Sequence, residues 1–209
     1  MTRRGWLLFA AMGVIWGIPY LLIKVAVSDL SPVTLVFFRT AIGALLLLPL
    51  AAGRNSLAPL LPRWKLVIAY TLAEVAFPWV LLSDAERHLT SSLTGLLIAA
   101  VPFVGVILSW LTGAADRFDA RRIAGLVIGF IGVAALVGLN VSGSDLTAVG
   151  ELALVSIGYA VGPLIIARRL SDVPEIGVVA VALTLPAIAT APFARTQPPP
   201  HKPGFPVLR

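Results

Sequence analysis

The chain has 209 residues, of which 58% are hydrophobic and 12% charged, with a mean hydropathy of +0.96, a formal net charge of +6 and no cysteine. Soluble domains carry about 25% charged residues, so this composition excludes a soluble fold. The missing cysteines exclude a disulfide framework, a thiolate metal site and a cysteine nucleophile.

Apolar stretches of about 20 residues, enough to cross a hydrocarbon core of about 30 Å at 1.5 Å per residue, recur along the chain. The sequence predicts seven helices, over 6–27, 33–52, 65–83, 90–112, 123–140, 148–167 and 173–194. Arg3 and Arg4 precede the first run as in a secretory signal. That run is too long for an h-region and lacks a small-x-small cleavage site, so it reads as a retained helix. Pro186 interrupts the seventh run. Barrel strands would be about 10 residues of alternating polarity, whereas these are continuous apolar runs. The expected fold class is therefore all-α, a polytopic transmembrane helix bundle embedded in a lipid bilayer.

The positive charges sort by loop. Alternate connections, counted from the N-terminus, hold Arg3 and Arg4; Arg54, Arg63 and Lys65; Arg117, Arg121 and Arg122; and Arg168 and Arg169. The opposite connections hold Arg87 with Asp29, Asp84, Glu86, Asp145 and Glu151. This bias predicts a multi-pass protein of the cell membrane with a cytoplasmic N-terminus. Nucleic acid is not expected as a partner, because its recognition needs a concentrated basic surface with stacking aromatics.

Gly13 and Gly17 recur as Gly158 and Gly162 at a constant offset, which also aligns Gly5 with Gly150, Leu7 with Leu152 and Lys24 with Arg169. After a shorter linker Pro32 falls opposite Pro174. Further small residues at helical spacing, Gly105, Ser109 and Gly113 in helix 4 and Gly125, Gly129 and Gly132 in helix 5, let helices approach closely in lipid.

In type and order, these segments resemble the EamA-type transporters of the drug/metabolite transporter superfamily. The Trp16-Gly17 pair of helix 1 is similar to one typical of that family. So are the LSPVTLVFFRTAIGALLLLPL stretch with Arg39, helix 4 with central Pro102, and DARRIAGLVIGFIGVAALVG in helix 5. Between helices 4 and 5 the family often has Gly-Glu-Arg where this chain has Ala115, Asp116 and Arg117. The resemblance implies a carrier of two five-helix repeats in inverted orientation. On that template residues 1–140 form a first repeat and 147–194 the first two helices of a second. The remaining 195–209 form a proline-rich polar tail, so the chain is expected to be C-terminally truncated.

Ionisable residues at membrane depth are costly and usually face a cavity or a partner. Three stand out. Lys24, near the end of helix 1, is placed to snorkel. Arg39 lies about 9 Å inside helix 2, at 1.5 Å per residue, and Glu74 near the middle of helix 3 is the one carboxylate at that depth. Two readings stand open: a structural Arg39–Glu74 ion pair, or a Glu74 that faces a central cavity and takes up a proton. Trp16, Tyr20 and Lys24 share one face of helix 1, and Tyr70 precedes Glu74 by one turn. The candidate substrate and coupling residues are therefore Glu74, Arg39, Trp16, Tyr20 and Tyr70.

Only two histidines are present, His88 and His201. No metal cluster, His-based dyad or phosphate-cradling glycine loop is visible, so an enzyme and a cofactor are not expected. The expected function is export of a small metabolite or drug-like substrate by alternating access, coupled to protons. The alternative is a non-functional fragment, or an assembly partner of another membrane chain.

Overall fold

The computed structural model describes residues 3–112, 120–140 and 145–196, without the side chains of 3, 120–122, 130, 133, 136–140 and 195–196. The 115–117 turn and the tail from 197 lie outside the described residues, as do the side chains of Arg121, Arg122 and Arg195. All regular structure among the described residues is helical. We label seven rods: α1 Arg3–Ala26, α2 Pro32–Gly53, α3 Ala58–His88, α4 Ser91–Leu111, α5 Ala120–Asn140, α6 Leu146–Arg169 and α7 Glu175–Thr196. Six of them, all but α5, are long and apolar enough over their described residues to cross a membrane.

Local chemistry sets the boundaries. Ser31 caps α2, its hydroxyl accepting the Thr34 N–H at 3.2 Å, and Pro32 occupies the first turn, where no N–H partner is needed. Thr90 caps α4 in the same way through the Leu93 N–H. Prolines within the rods remove the N–H that would reach the carbonyl four residues back. In α4, Pro102 takes the bond from Ile98, and the helix breaks into Ser91–Ile98 and Val101–Leu111. In α3, Pro78 takes it from Glu74. The chain widens there to a π turn over Leu72–Ala76, with the Phe77 N–H reaching back to the Leu72 carbonyl. In α7 the helix runs on through Pro186 and Pro192, contrary to the expected interruption.

Rod α3 is longer at both ends than the apolar run predicts. Its Asp84–His88 end, expected in a connection, stays helical, with Glu86 fully buried. A hydropathy reading stops where charge begins, but Ala, Glu and Arg are good helix formers. This end is further held by Lys24, whose Nζ donates to the Glu86 and Leu89 carbonyls at 2.5 and 2.8 Å. Lys24 is thus a bond between α1 and the C-terminus of α3 rather than a snorkelling anchor.

The core has two clusters. One, at the Lys24 end, joins Ile23, Leu35, Leu82, Leu93, Leu152 and Val155; the other, at the Arg63 end, joins Leu60, Val67, Tyr70, Val75, Leu170 and Val178. The α2–α7 contact is the most extensive between rods, with Gly43 leaving room for Leu183. By contrast, α1 buries only 6% of its apolar window and leaves Trp6, Phe9, Met12 and Trp16 open, as a lipid-facing helix would.

Candidate functional site

Glu74 lies in the π turn created by Pro78, where α3 meets α6. Two glycines of α6 make the meeting possible. A Cβ at Gly158 would strike the Ala73 carbonyl and stand 2.9 Å from Pro78 Cγ; a Cβ at Gly162 would strike Glu74 Oε2 and stand 2.9 Å from its Cδ. The Glu74 side chain therefore lies flat against bare α6 backbone. Its Oε2 is buried and accepts no hydrogen bond.

Arg39 of α2 stacks on Trp79 of α3, its guanidinium carbon 4.1 Å from the ring centroid. Its Nη1 is also buried and donates no hydrogen bond. Ion pairs join Arg63 to Asp172 and Arg87 to Asp84 but not Arg39 to Glu74, which therefore do not form the pair that one reading of the sequence envisaged. Each charge sits near the changeover between the two core clusters with part of its hydrogen-bonding capacity unused.

The other candidates separate. Trp16 and Tyr20 of α1, with Gly17 and Leu21, line an open cavity of about 620 Å³, with Ser91, Ser92, Gly95, Ile98 and Ala99 of α4 opposite. The α4 break after Ile98 falls on that wall. Tyr70 is buried in the core with Val67 and Val75 and is no part of this cavity. The structure thus brings Trp16 and Tyr20 together, stations Arg39 beside Trp79, and leaves Glu74 against α6.

Sequence reasoning missed Glu86, a fully buried carboxylate beside this cavity. Its Oε2 accepts the Ser91 hydroxyl at 3.2 Å, while its Oε1 is buried without a hydrogen bond. It also missed Trp79, for which the signal was available: an aromatic one position after Pro78, one to two turns from Glu74. At the opposite end, Arg63 grips both carboxylate oxygens of Asp172 and donates to the Arg169 carbonyl at 2.9 Å. This joins the start of α3 to the α6–α7 connection. The guanidinium holds the Asp172 carboxyl below its ordinary range. Nearby, Arg168 Nη2 donates to Thr112 Oγ1 at 2.8 Å.

Comparison with known proteins bears on this arrangement. Residues 3–138 match the model of the EamA-like transporter family. The chain is 26% identical over 184 residues to the uncharacterized transporter YvbV of Bacillus subtilis (strain 168), covering 87% of this chain and 60% of that protein. It is 27% identical over 131 residues to an uncharacterized transporter of Archaeoglobus fulgidus, covering 62% of this chain and 46% of that one. The chain thus spans less than two thirds of the length of these relatives. No solved structure matches it significantly. With a family match over most of its length and a bundle of apolar helices of membrane-crossing length, the chain belongs to the EamA-like transporter family, a multi-pass membrane transporter family.

Proposed function

We propose that the protein exports a small metabolite or drug-like substrate across the cell membrane by alternating access, with Glu74 coupling that movement to protons. One observation carries the reading: a carboxylate midway along a membrane-spanning rod, on a proline-induced π turn, has one oxygen unbonded against the glycine backbone of α6. A charge at this depth is expensive to keep without a use or a partner. The interface around it is built on a helix deformed by a π turn, and lies near the middle of the rod, the depth at which carriers bind substrate or coupling ions. Residues 1–140 act as one repeat and 147–194 begin its inverted counterpart. The N-terminus faces the cytoplasm, with the Lys24 end outside.

The test is proton movement in proteoliposomes carrying the full chain and a trapped pH dye, challenged with a panel of metabolites. Substrate-dependent proton flux is expected, and Glu74→Gln abolishes it while leaving incorporation unchanged. Equal flux in Glu74→Gln removes the coupling role. A second reading, assembly with another membrane chain, is favoured by the glycines of α1. A Cβ added at Gly13 or Gly17 would meet nothing within 4 Å, although their counterparts Gly158 and Gly162 seat α3. On that reading flux appears only when a chain supplying the remainder of the relatives' length is present in the same membrane.

A further inference from the structure

The cavity between α1 and α4 has a buried acid behind its wall. We propose that Glu86 is a second protonation site, separate from Glu74, and that the Ser91 hydroxyl connects it to that cavity. Glu86 is 0% exposed, one of the largest fully buried side chains, and its Oε1 has no hydrogen bond. Thr94, also 0% exposed, neighbours the same carboxyl with its hydroxyl. Ser91 and Thr94 stand three residues apart, so α4 turns both hydroxyls toward the same acid.

Ser91 has two acceptors for one hydrogen. Its Oγ lies 3.2 Å from Glu86 Oε2 on α3 and 3.3 Å from the Tyr20 carbonyl on α1, and it lines the cavity itself. A hydroxyl donates once. With Glu86 ionised, the hydrogen serves the carboxylate and ties α4 to α3. A proton arriving from the cavity binds Ser91 Oγ as the serine's own hydrogen passes to Glu86 Oε2. The neutral acid then donates back to Ser91 Oγ, and the serine hydrogen turns to the Tyr20 carbonyl. One proton is taken up, no covalent bond to carbon changes, and the α4 tether moves from α3 to α1.

The neighbouring charges frame this site. On α1 are the Lys24 ammonium, held by the Glu86 and Leu89 carbonyls, and the Tyr20 phenol. On α3 are Asp84, paired with Arg87 at 3.2 Å, and His88. From α6 comes Glu151, beside Asp84 and His88. No ionisable residue occurs in α4. The site does not rest on the transport reading, since titration is read on the purified chain without substrate.

Infrared difference spectra of the full chain against pH test it, through the C=O band of a protonated carboxyl. One component of that band is expected to grow as pH falls, to be missing from Glu86→Gln, to persist in Glu74→Gln and to shift in frequency in Ser91→Ala. The pH-dependent tryptophan emission that is lost in Trp16→Phe is expected to follow the same interval and to vanish in Ser91→Ala. Should Glu86→Gln fail to fold, Glu86→Asp serves instead and moves the midpoint of the band. An unchanged band in the Glu86 variants, or a Ser91→Ala protein with the wild-type band and emission, overturns the proposal.

Discussion

The same substitution made at two glycines of matching position separates a packed interface from an open one. In Gly158→Ala the new methyl meets the Ala73 carbonyl of the π turn and Cγ of Pro78, which follows that turn, so α6 has to move away from α3. Overpacking of this kind costs about 1–3 kcal/mol. The obstacle is backbone rather than a mobile side-chain tip, which places the cost in the upper half of that range. Replacing glycine by alanine in a helix returns about 1 kcal/mol. The net effect is a loss of about 1–2 kcal/mol, or a fall in melting midpoint of roughly 2–8 °C at about 2–4 °C per kcal/mol. At Gly13 no heavy atom lies within 4 Å of the added Cβ, so only the helix gain remains and the midpoint holds or rises. Intrinsic-fluorescence melting of the purified protein in one detergent compares the two. A Gly158→Ala protein as stable as wild type refutes the close approach of α6 to the π turn. A Gly13→Ala loss equal to that of Gly158→Ala shows that α1 is covered.

Two further perturbations probe the ends of the bundle. Lys24→Met keeps the side-chain bulk but removes both bonds to the α3 carbonyls; the loss is expected to be about 1.5–3 kcal/mol, as for hydrogen bonds to a charged group. A snorkelling lysine would give almost none, and denaturant melts distinguish the two. At the other end, Arg63→Asp lowers the melting midpoint and the exchange Arg63→Asp with Asp172→Arg recovers most of it. Because Asp172 is held below its ordinary value near 3.9, its contribution is present above that pH and fades only as pH falls through the lower folded value. A clasp whose effect is already lost at pH 5 contradicts that assignment.

Much of the architecture was legible because lipid leaves few options: with no water to satisfy the backbone, long apolar runs become helices. Seven rods were expected and the described residues form seven, with α1, α2 and α5 ending within a few residues of their apolar runs. Where the reading failed, side-chain chemistry decided. The charged Asp84–His88 segment looked like a loop, yet it is helical, and Lys24, 62 residues before Glu86, holds its backbone. Hydropathy averages neighbours along the chain and is blind to a partner that distant. Pro186 looked like a breaker, yet α7 is held along α2 and tolerates it. Arg39 and Glu74 were found as residues but not as an arrangement. Opposite charges on neighbouring helices suggest a pair, and only the fold shows the guanidinium turned to Trp79 and the carboxylate to Gly162.

The two glycine pairs illustrate why a repeated motif need not have a repeated role. Spacing of i, i+4 guarantees only a strip of bare backbone, and what the strip does depends on what reaches it. At Gly158 and Gly162 the visitor is a helix deformed by Pro78, and bare backbone on α6 is what admits a carboxylate that would otherwise be displaced by a methyl. At Gly13 and Gly17 the strip faces no neighbour, while the residues around it, Trp16 and Tyr20, look across a cavity at Ser91. The α6 copy thus serves the deep acid, Glu74, and the α1 copy flanks a cavity whose wall hides a second one, Glu86. Two acids on a single rod, twelve residues and about 18 Å apart at 1.5 Å per residue, are too far apart to exchange a proton directly. As proposed protonation sites they are therefore separate.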